Sequence, residues 1–253
     1  AALSVDSYTL PEGWSDASLE QLTSAVRPIC YGILMPKEDV PNGVLYVRVI
    51  DIQNDRINLG SLRRTSREIA AAYARASLRP GDLLVTIRGS YGRVAEVPPP
   101  LEGGNITQYT ARLAPSPLID RRYLAWALRS PQAVNYMKRV ARGVGVKGVN
   151  IADLRLLPIP VPPVEEQRRI AGEVERLLSA SDKVVAEVAF HLERSQRLRQ
   201  AVLASAFSGR LVPQDPHDEA ASVLLERIRA ERTPPTASRS GPRRSRTSVA
   251  VAT

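Results

Sequence analysis

One short stretch of this sequence combines residue types that can grip anions and read hydrogen-bonding edges. IRGSYGRVA (87–95) contains two glycines, and a tight turn at them would present a forked cation, a hydroxyl and an aromatic ring together. Arginine can hold a phosphate or a guanine edge at two points. The stretch therefore predicts a nucleic-acid contact, and the alternative is an ordinary hairpin with exposed arginines. The candidate contacts are Arg88, Ser90, Tyr91 and Arg93.

A second glycine-rich stretch, ARGVGVKGVN (141–150), offers Arg142, Lys147 and backbone N–H groups to phosphate. GVGVKG resembles a nucleotide-binding loop, but it precedes a proline-rich extended stretch and does not join a strand to a helix. We therefore interpret it as a loop that contacts nucleic-acid backbone, with a loop of no binding function as the alternative.

Two further places supply candidate contacts. NITQYTARL (105–113) carries Asn105, Gln108 and Tyr109, and the two amides suit an adenine edge, although the pattern favours a plain strand. Arg63 and Arg64 begin a basic segment and are candidates for contact with phosphate.

The charge of the chain is concentrated locally. The net charge is +9, and only four of the 35 basic residues are lysines. A GC-rich genome would explain the preference for arginine but not its position. Residues 60–93 hold seven arginines against Glu68 and Asp82, and residues 121–147 hold seven basic residues and no acid. Such segments are the electrostatic footprint of a protein that binds the phosphate backbone.

No catalytic or metal-binding set is recognisable. The GxxxxGK[ST] motif is absent, as are the motifs of a DNA methyltransferase, and no lysine lies two residues after an acid, as metal-dependent DNA cleavage usually requires. Cys30 has no second cysteine to pair with, and His191 and His217 lie far from any ligand cluster. We predict no catalytic residues, no metal site and no cofactor, and a buried, inert thiol at Cys30.

The elements that would position these residues follow an α+β pattern. β-Branched runs predict strands over VLYVRVIDI (44–52) and DLLVTI (82–87). Helical patterns cover SLEQL (18–22), TSREIAAAYARASL (65–78) and residues 120–141, the last interrupted at its proline. The predicted organisation is a mixed α/β domain over 1–157, a Pro-rich strap over 158–163, a long helix over 164–208, a segment with a short helix over 209–232, and a disordered basic tail over 233–253.

The long helix should measure on the order of 65 Å, which is more than a compact domain of this size needs. Its apolar residues recur every three or four positions, as in helices that pair lengthwise with another helix. We call this set the seam: Ile170, Val174, Leu177, Leu178, Val185, Val188, Leu192, Leu198 and Val202. The short helix is expected over 218–232 with Asp218 as its cap.

These stretches resemble a known family. LPIPVPPVEEQRRIAGEVERLL (157–178) and LRQAVLASAFSGRLV (198–212) are similar to the conserved region and C-terminus of specificity subunits of type I restriction-modification systems. RPGDLLVTIRGSYGRVAEVP (79–98) and GVGVKGVNIADLRLLPIPVPP (143–163) resemble landmarks of a target recognition domain. The resemblance covers residues 10–232. Its Pro-Pro-x-Glu-Glu-Gln and Ala-Phe-Ser-Gly-Arg-Leu elements are specific in combination.

The resemblance implies a DNA-reading adaptor without catalysis of its own. In that family each recognition domain reads half of a split site on double-stranded DNA, and the helices hold two such domains apart. Methyltransferase subunits, which use S-adenosylmethionine, dock on the helices, and restriction subunits, which use ATP, join through the complex. This chain has one recognition domain and one spacer, without an internal repeat. It is expected to be the C-terminal half of a longer subunit or a half subunit that pairs with a second one through the seam.

The alternative from another class is a helical scaffold whose arginines serve solubility alone. An enzyme fused to its own recognition domain would need catalytic residues that the sequence lacks. The N-terminus does not have the order of a signal peptide, so a cytoplasmic location is expected.

Overall fold

In the computed structural model, the described part of the chain is residues 10–232, and the tail predicted over 233–253 lies outside it. The strands are β1 (Ser15–Ser18), β2 (Cys30–Tyr31), β3 (Val44–Val47), β4 (Ile52–Gln53), β5 (Arg56–Ile57), β6 (Arg63–Thr65), β7 (Leu83–Arg88), β8 (Ser90–Glu96), β9 (Asn105–Ile106), β10 (Thr110–Leu113) and β11 (Pro158–Val161). The helices are α1 (Arg67–Ala72), α2 (Arg121–Arg129), α3 (Pro131–Val140), α4 (Ile151–Arg155), α5 (Val164–Phe207) and α6 (Ala221–Arg232).

The central sheet has the strand order β2-β10-β7-β8. Strand β7 has the sequence LLVTIR, in which apolar residues follow one another without alternating with charged ones until Arg88. Such a run suits a strand that is buried on both faces, as β7 is. Leu83, Val85 and Ile87 pack into a first core, together with residues of α2, α3 and α4. Leu84 points to the opposite face and packs into a second core.

The second core lies under a smaller sheet of order β6-β3-β9, in which β3 and β9 are parallel, and beside the two-stranded β4-β5 pair. The sequence predicted one strand over residues 44–52, but the strand ends at Val47 and a 3-10 turn covers Val49–Asp51. The cause is Asp51, whose buried carboxylate accepts hydrogen bonds from the backbone N–H and the guanidinium of Arg48. A local side-chain cap thus competes successfully with the strand.

The Pro-rich stretch is a strand and not a free linker. Strand β11 pairs antiparallel with β1, with Ala17 opposite Ile159. Because Pro158 and Pro160 lack N–H groups, the donors of this strand are on Ile159 and Val161, at one edge only. At the other edge, Tyr123 Oη donates to the carbonyl of Pro160 at 2.6 Å.

Buried hydrogen bonds fix the beginning of α5. Gln167 is 3% exposed, its amide nitrogen donates to the carbonyl of Pro162 at 2.8 Å, and its oxygen accepts from the N–H of Asp120 at 2.9 Å. Trp14 adds a bond from its indole nitrogen to Glu166 at 3.3 Å. The extended strap, the N-terminus of α2 and the first turn of α5 are therefore joined through one amide.

The α+β class, the long helix and the short C-terminal helix are confirmed, but some local predictions are wrong. Residues 18–22 form no α-helix: Ser18 is the last residue of β1 and lies opposite Pro158, and the N–H groups of Gln21 and Leu22 donate to carbonyls three residues back, as in turns. The last helix begins at Ala221 and not at Asp218. The break at Pro131 is confirmed: Ser130 caps α3 through the N–H of Ala133, and Pro131 occupies the first helical position.

The described residues divide into two compact units, a first that ends at Lys183 and a second that begins at Val184, so the division falls within α5. The first unit contains the sheets, the strap and the beginning of α5. In the second unit, the apolar side chains of α5 and α6 are exposed. None of the helices described over residues 10–232 is long and apolar enough to cross a membrane.

Candidate nucleic-acid interface

The structure brings three of the predicted contacts together around one open hollow of about 210 Å³. Arg88 ends strand β7, Gln108 lies in the turn between β9 and β10, and Arg142 follows α3. These elements meet because β10 pairs with β7, and because Arg88 forms an antiparallel bridge with Gly148 of the 142–148 loop. Residues distant in sequence thus form one surface of cationic and amide groups.

Aromatic and polar neighbours complete the hollow. The guanidinium carbon of Arg88 lies 5.4 Å from the centroid of the Tyr109 ring, an arrangement in which the ring face attracts the cation. Gln108 donates weakly to the carbonyl of Leu34, at 3.5 Å. Tyr31 and Asn150 also line the hollow.

The 142–148 loop is closed on itself. Arg142 and Gly148 exchange backbone hydrogen bonds of 2.9 Å in both directions, and Tyr91 Oη donates to the carbonyl of Lys147 at 3.0 Å. Gly145 has φ +77°, a left-handed conformation that favours glycine. The loop therefore ties the predicted contacts Tyr91, Arg142 and Lys147 to the hairpin that carries Arg88.

The basic residues of this loop are more accessible than Arg88. The Arg142 side chain is 74% exposed and lies 3.9 Å from Asp153, a weak surface pair. Lys147 is exposed as well. Flexible, solvated cations at such positions suit phosphate, which offers charge without sequence information.

The other predicted contacts lie elsewhere. The Ser90 hydroxyl oxygen is buried, without a hydrogen-bond partner among the described residues, and Arg93 donates to the carbonyl of Ile52 at 3.3 Å. Arg63 and Arg64 are exposed on β6, and Arg64 lines a different hollow. These four residues are thus not part of the surface around Arg88.

Sequence reasoning did not select three residues that line the hollow, Tyr31, Leu34 and Asn150. Tyr109, which was named together with Gln108, flanks it. Tyr109 and Tyr31 are each more than a third exposed, and Leu34 is half exposed. Asn105, by contrast, is buried and donates to the carbonyl of Tyr73.

The predicted partner-binding face of α5 differs between the two units. In the first unit, Ile170 and Val174 help line an apolar groove of about 650 Å³ together with Trp14, Trp126 and Tyr136. The other seam residues are between 44% and 64% exposed: Leu177, Leu178, Val185, Val188, Leu192, Leu198 and Val202. A helix with such a stripe buries it only by packing against a partner.

Residues 10–232 contain no group of three or more His, Cys, Asp or Glu side chains placed to hold a metal ion. Cys30 is buried, as predicted, and its sulfur lies 3.5 Å from the carbonyl oxygen of Arg75. The structure thus defines a class of protein, an α+β domain with a basic and aromatic surface, continued by a long amphipathic helix.

Comparison with known proteins identifies the family. Residues 35–184 match the model of the type I restriction modification DNA specificity domain. The chain is 35% identical to the type I restriction enzyme EcoBI specificity subunit of Escherichia coli over 90% of its own length. It is 26% identical to the StySPI specificity subunit of Salmonella potsdam over 80% of its length. The chain belongs to the type I restriction modification DNA specificity domain family, which confirms the resemblance seen in the sequence.

The chain spans about half the length of these relatives, 50% of the EcoBI subunit and 44% of the StySPI subunit. A crystal structure of the HsdS subunit from Thermoanaerobacter tengcongensis has the same fold, with a TM-score of 0.61 and 23% identity. The likeness covers 86% of this chain and 54% of that one. One α+β domain and one long helix thus correspond to about half of a specificity subunit.

Proposed function

We propose that this chain is a sequence-specific DNA-binding subunit, or half of one, in a type I restriction-modification complex. The observation that carries the proposal is the surface around Arg88, where cationic, amide and aromatic groups converge in a domain of the DNA specificity family. The chain reads one half of a bipartite site on double-stranded DNA. The second half of the site is read by a second copy or by another part of the same polypeptide.

The chain itself is not catalytic in this proposal. The chemistry that requires S-adenosylmethionine and ATP belongs to modification and restriction subunits. The exposed seam of α5 packs against helices of the modification subunits and of the second half. Because these complexes act on DNA inside the cell, we place the protein in the cytoplasm.

Salt dependence of DNA binding provides the first test. If Arg142, Lys147 and a third cation each neutralise a phosphate, raising salt from 50 to 200 mM should weaken binding about 40-fold. Fluorescence anisotropy with labelled duplex DNA measures the effect, using the full chain alone and with the modification subunits of its host. Affinity that is independent of salt contradicts the proposal.

A second test separates DNA reading from a scaffold role. Substituting Arg88 and Arg142, which line the same hollow, by Ala should reduce binding of duplex DNA while the modification subunits still assemble. If the chain were only a scaffold, these substitutions would not change its binding to duplex DNA. Purified chain that transfers methyl groups to DNA by itself would show that it is an enzyme.

A further inference from the structure

Arg88 is held in place more firmly than the other cations of this surface. It is the last residue of β7, whose neighbours on both sides are hydrogen-bonded strands, and its backbone is bridged to Gly148. Its guanidinium lies over the Tyr109 ring at 5.4 Å. A side chain that is already oriented loses little conformational entropy when it binds.

The donors of Arg88 are nevertheless unused. Within residues 10–232, no carboxylate lies within ion-pair distance of Arg88, and its guanidinium makes no hydrogen bond. By contrast, Arg27 binds Asp82 with both terminal nitrogens at 2.7 Å. Arg88 thus presents a planar fork of N–H groups with no partner in the described protein, and Gln108 and Asn150 line the same hollow.

Gly148 has no side chain, and the guanidinium of Arg88 occupies the space that a side chain there would need. A Cβ atom added at residue 148 would lie 2.9 Å from Nε of Arg88 and 3.5 Å from the carbonyl oxygen of Ile87. The contact would displace a flexible side chain and not the backbone. Gly148 therefore influences where the guanidinium lies without carrying any charge of its own.

We infer that Arg88 reads a guanine in the DNA target, with its fork donating to O6 and N7 in the major groove. Tyr109 and Gly148 are positioning residues for it. Two parallel hydrogen bonds need a fixed, planar donor pair, which the Tyr109 ring provides and a mobile surface cation does not. Arg142 and Lys147 contact phosphate instead. This assignment rests on the proposed function, since it names the base that the same surface recognises.

The test begins with the wild-type chain, assembled with the modification subunits of its host. A pool of randomised duplex oligonucleotides is selected for binding, and the affinity for the selected duplex is compared with that for every single-base-pair change. We expect one G·C pair whose replacement weakens binding about 5- to 150-fold. Absence of any selected motif would refute the proposed function at this step, before any variant is made.

The variants then test Arg88. Arg88→Ala and Arg88→Lys should both abolish discrimination at that one pair and preserve it at the others, because lysine keeps the charge but not the fork. Arg142→Ala is the matched control, and it should weaken all duplexes by the same factor and reduce the salt dependence. If Arg88→Ala also weakens all duplexes equally, or if the lost pair is A·T, the inference is wrong.

Variants of the positioning residues Tyr109 and Gly148 should change base-pair discrimination in a predictable way. Tyr109→Leu should reduce discrimination at the base pair that Arg88 reads, whereas Tyr109→Phe should preserve it because the ring remains. Gly148→Ala should also reduce this discrimination, without changing the salt dependence of binding. Thermal unfolding of each variant distinguishes a displaced Arg88 from a damaged fold. Full discrimination in both Tyr109→Leu and Gly148→Ala would refute the positioning role.

Discussion

The amide of Gln167 joins the recognition domain to its helix, and its removal has a calculable cost. Gln167→Ala leaves the N–H of Asp120 and the carbonyl of Pro162 buried without their partner. Each unsatisfied group costs about 1–3 kcal/mol, and the entropy regained by the freed side chain offsets about 2 kcal/mol. We expect the free energy of unfolding to fall by about 2 kcal/mol, the middle of the range of about 0–4 kcal/mol that these terms give.

Urea denaturation followed by tryptophan fluorescence measures this change, since Trp14 bonds to the residue before Gln167. Gln132→Ala is the control, because it removes the same atoms from an exposed helical position and should change stability by less than about 0.5 kcal/mol. Gln167→Glu should be less destabilising at low pH, where a protonated carboxyl can again donate to Pro162. A Gln167→Ala variant as stable as the control would refute this account of the joint.

Three other predictions concern the second core, acid stability and the helix. Gly32→Ala should destabilise the domain by about 3 kcal/mol or more in thermal unfolding, because a Cβ there would lie 2.0 Å from a backbone carbonyl oxygen of β9. Gly89→Ala, which has open space and φ +79°, should cost only about 1 kcal/mol. Burial raises the pKa of Asp51, but the hydrogen bonds, chiefly from Arg48, outweigh it and leave the pKa below the ordinary 3.8. The stabilisation is complete above pH 3.8 and is lost as the pH falls through the lowered value, so Asp51→Asn should flatten this part of the acid-unfolding profile. Leu192→Asp should weaken assembly with the modification subunits or a second copy, which the mass of the complex in solution measures. It should not lower the unfolding temperature of the first unit.

Prediction from the sequence succeeded where local patterns and structure agree. The strand over 82–87, the two helices separated at Pro131 and the end of the long helix at Phe207 were each marked by periodicity or by a cap. Prediction failed where distant backbone groups competed. Ser18 ends β1 opposite Pro158, the N–H groups of Leu19 and Glu20 donate to the carbonyls of residues 157 and 155, and no local signal reveals those partners.

Composition also could not distinguish arginines that bind a ligand from those that stabilise the fold. Arg112 was counted among the basic residues, but it is 1% exposed and donates to the carbonyls of Arg27, Pro28 and Arg75. Arg88 has no such partners among residues 10–232. Only the tertiary structure separates the two, because the acceptors come from segments distant in sequence.

The sequence by itself determined the class of the protein, the family, the basic character and the amphipathic helix, because these depend on residue types and their spacing along the chain. The tertiary structure decided which candidates meet. It grouped Arg88, Gln108 and Arg142 with Tyr109, separated Arg63 from them, and turned the Pro-rich strap into a strand fixed by hydrogen bonds. Strand pairing and buried hydrogen bonds set these outcomes, and both depend on contacts between residues far apart in the chain.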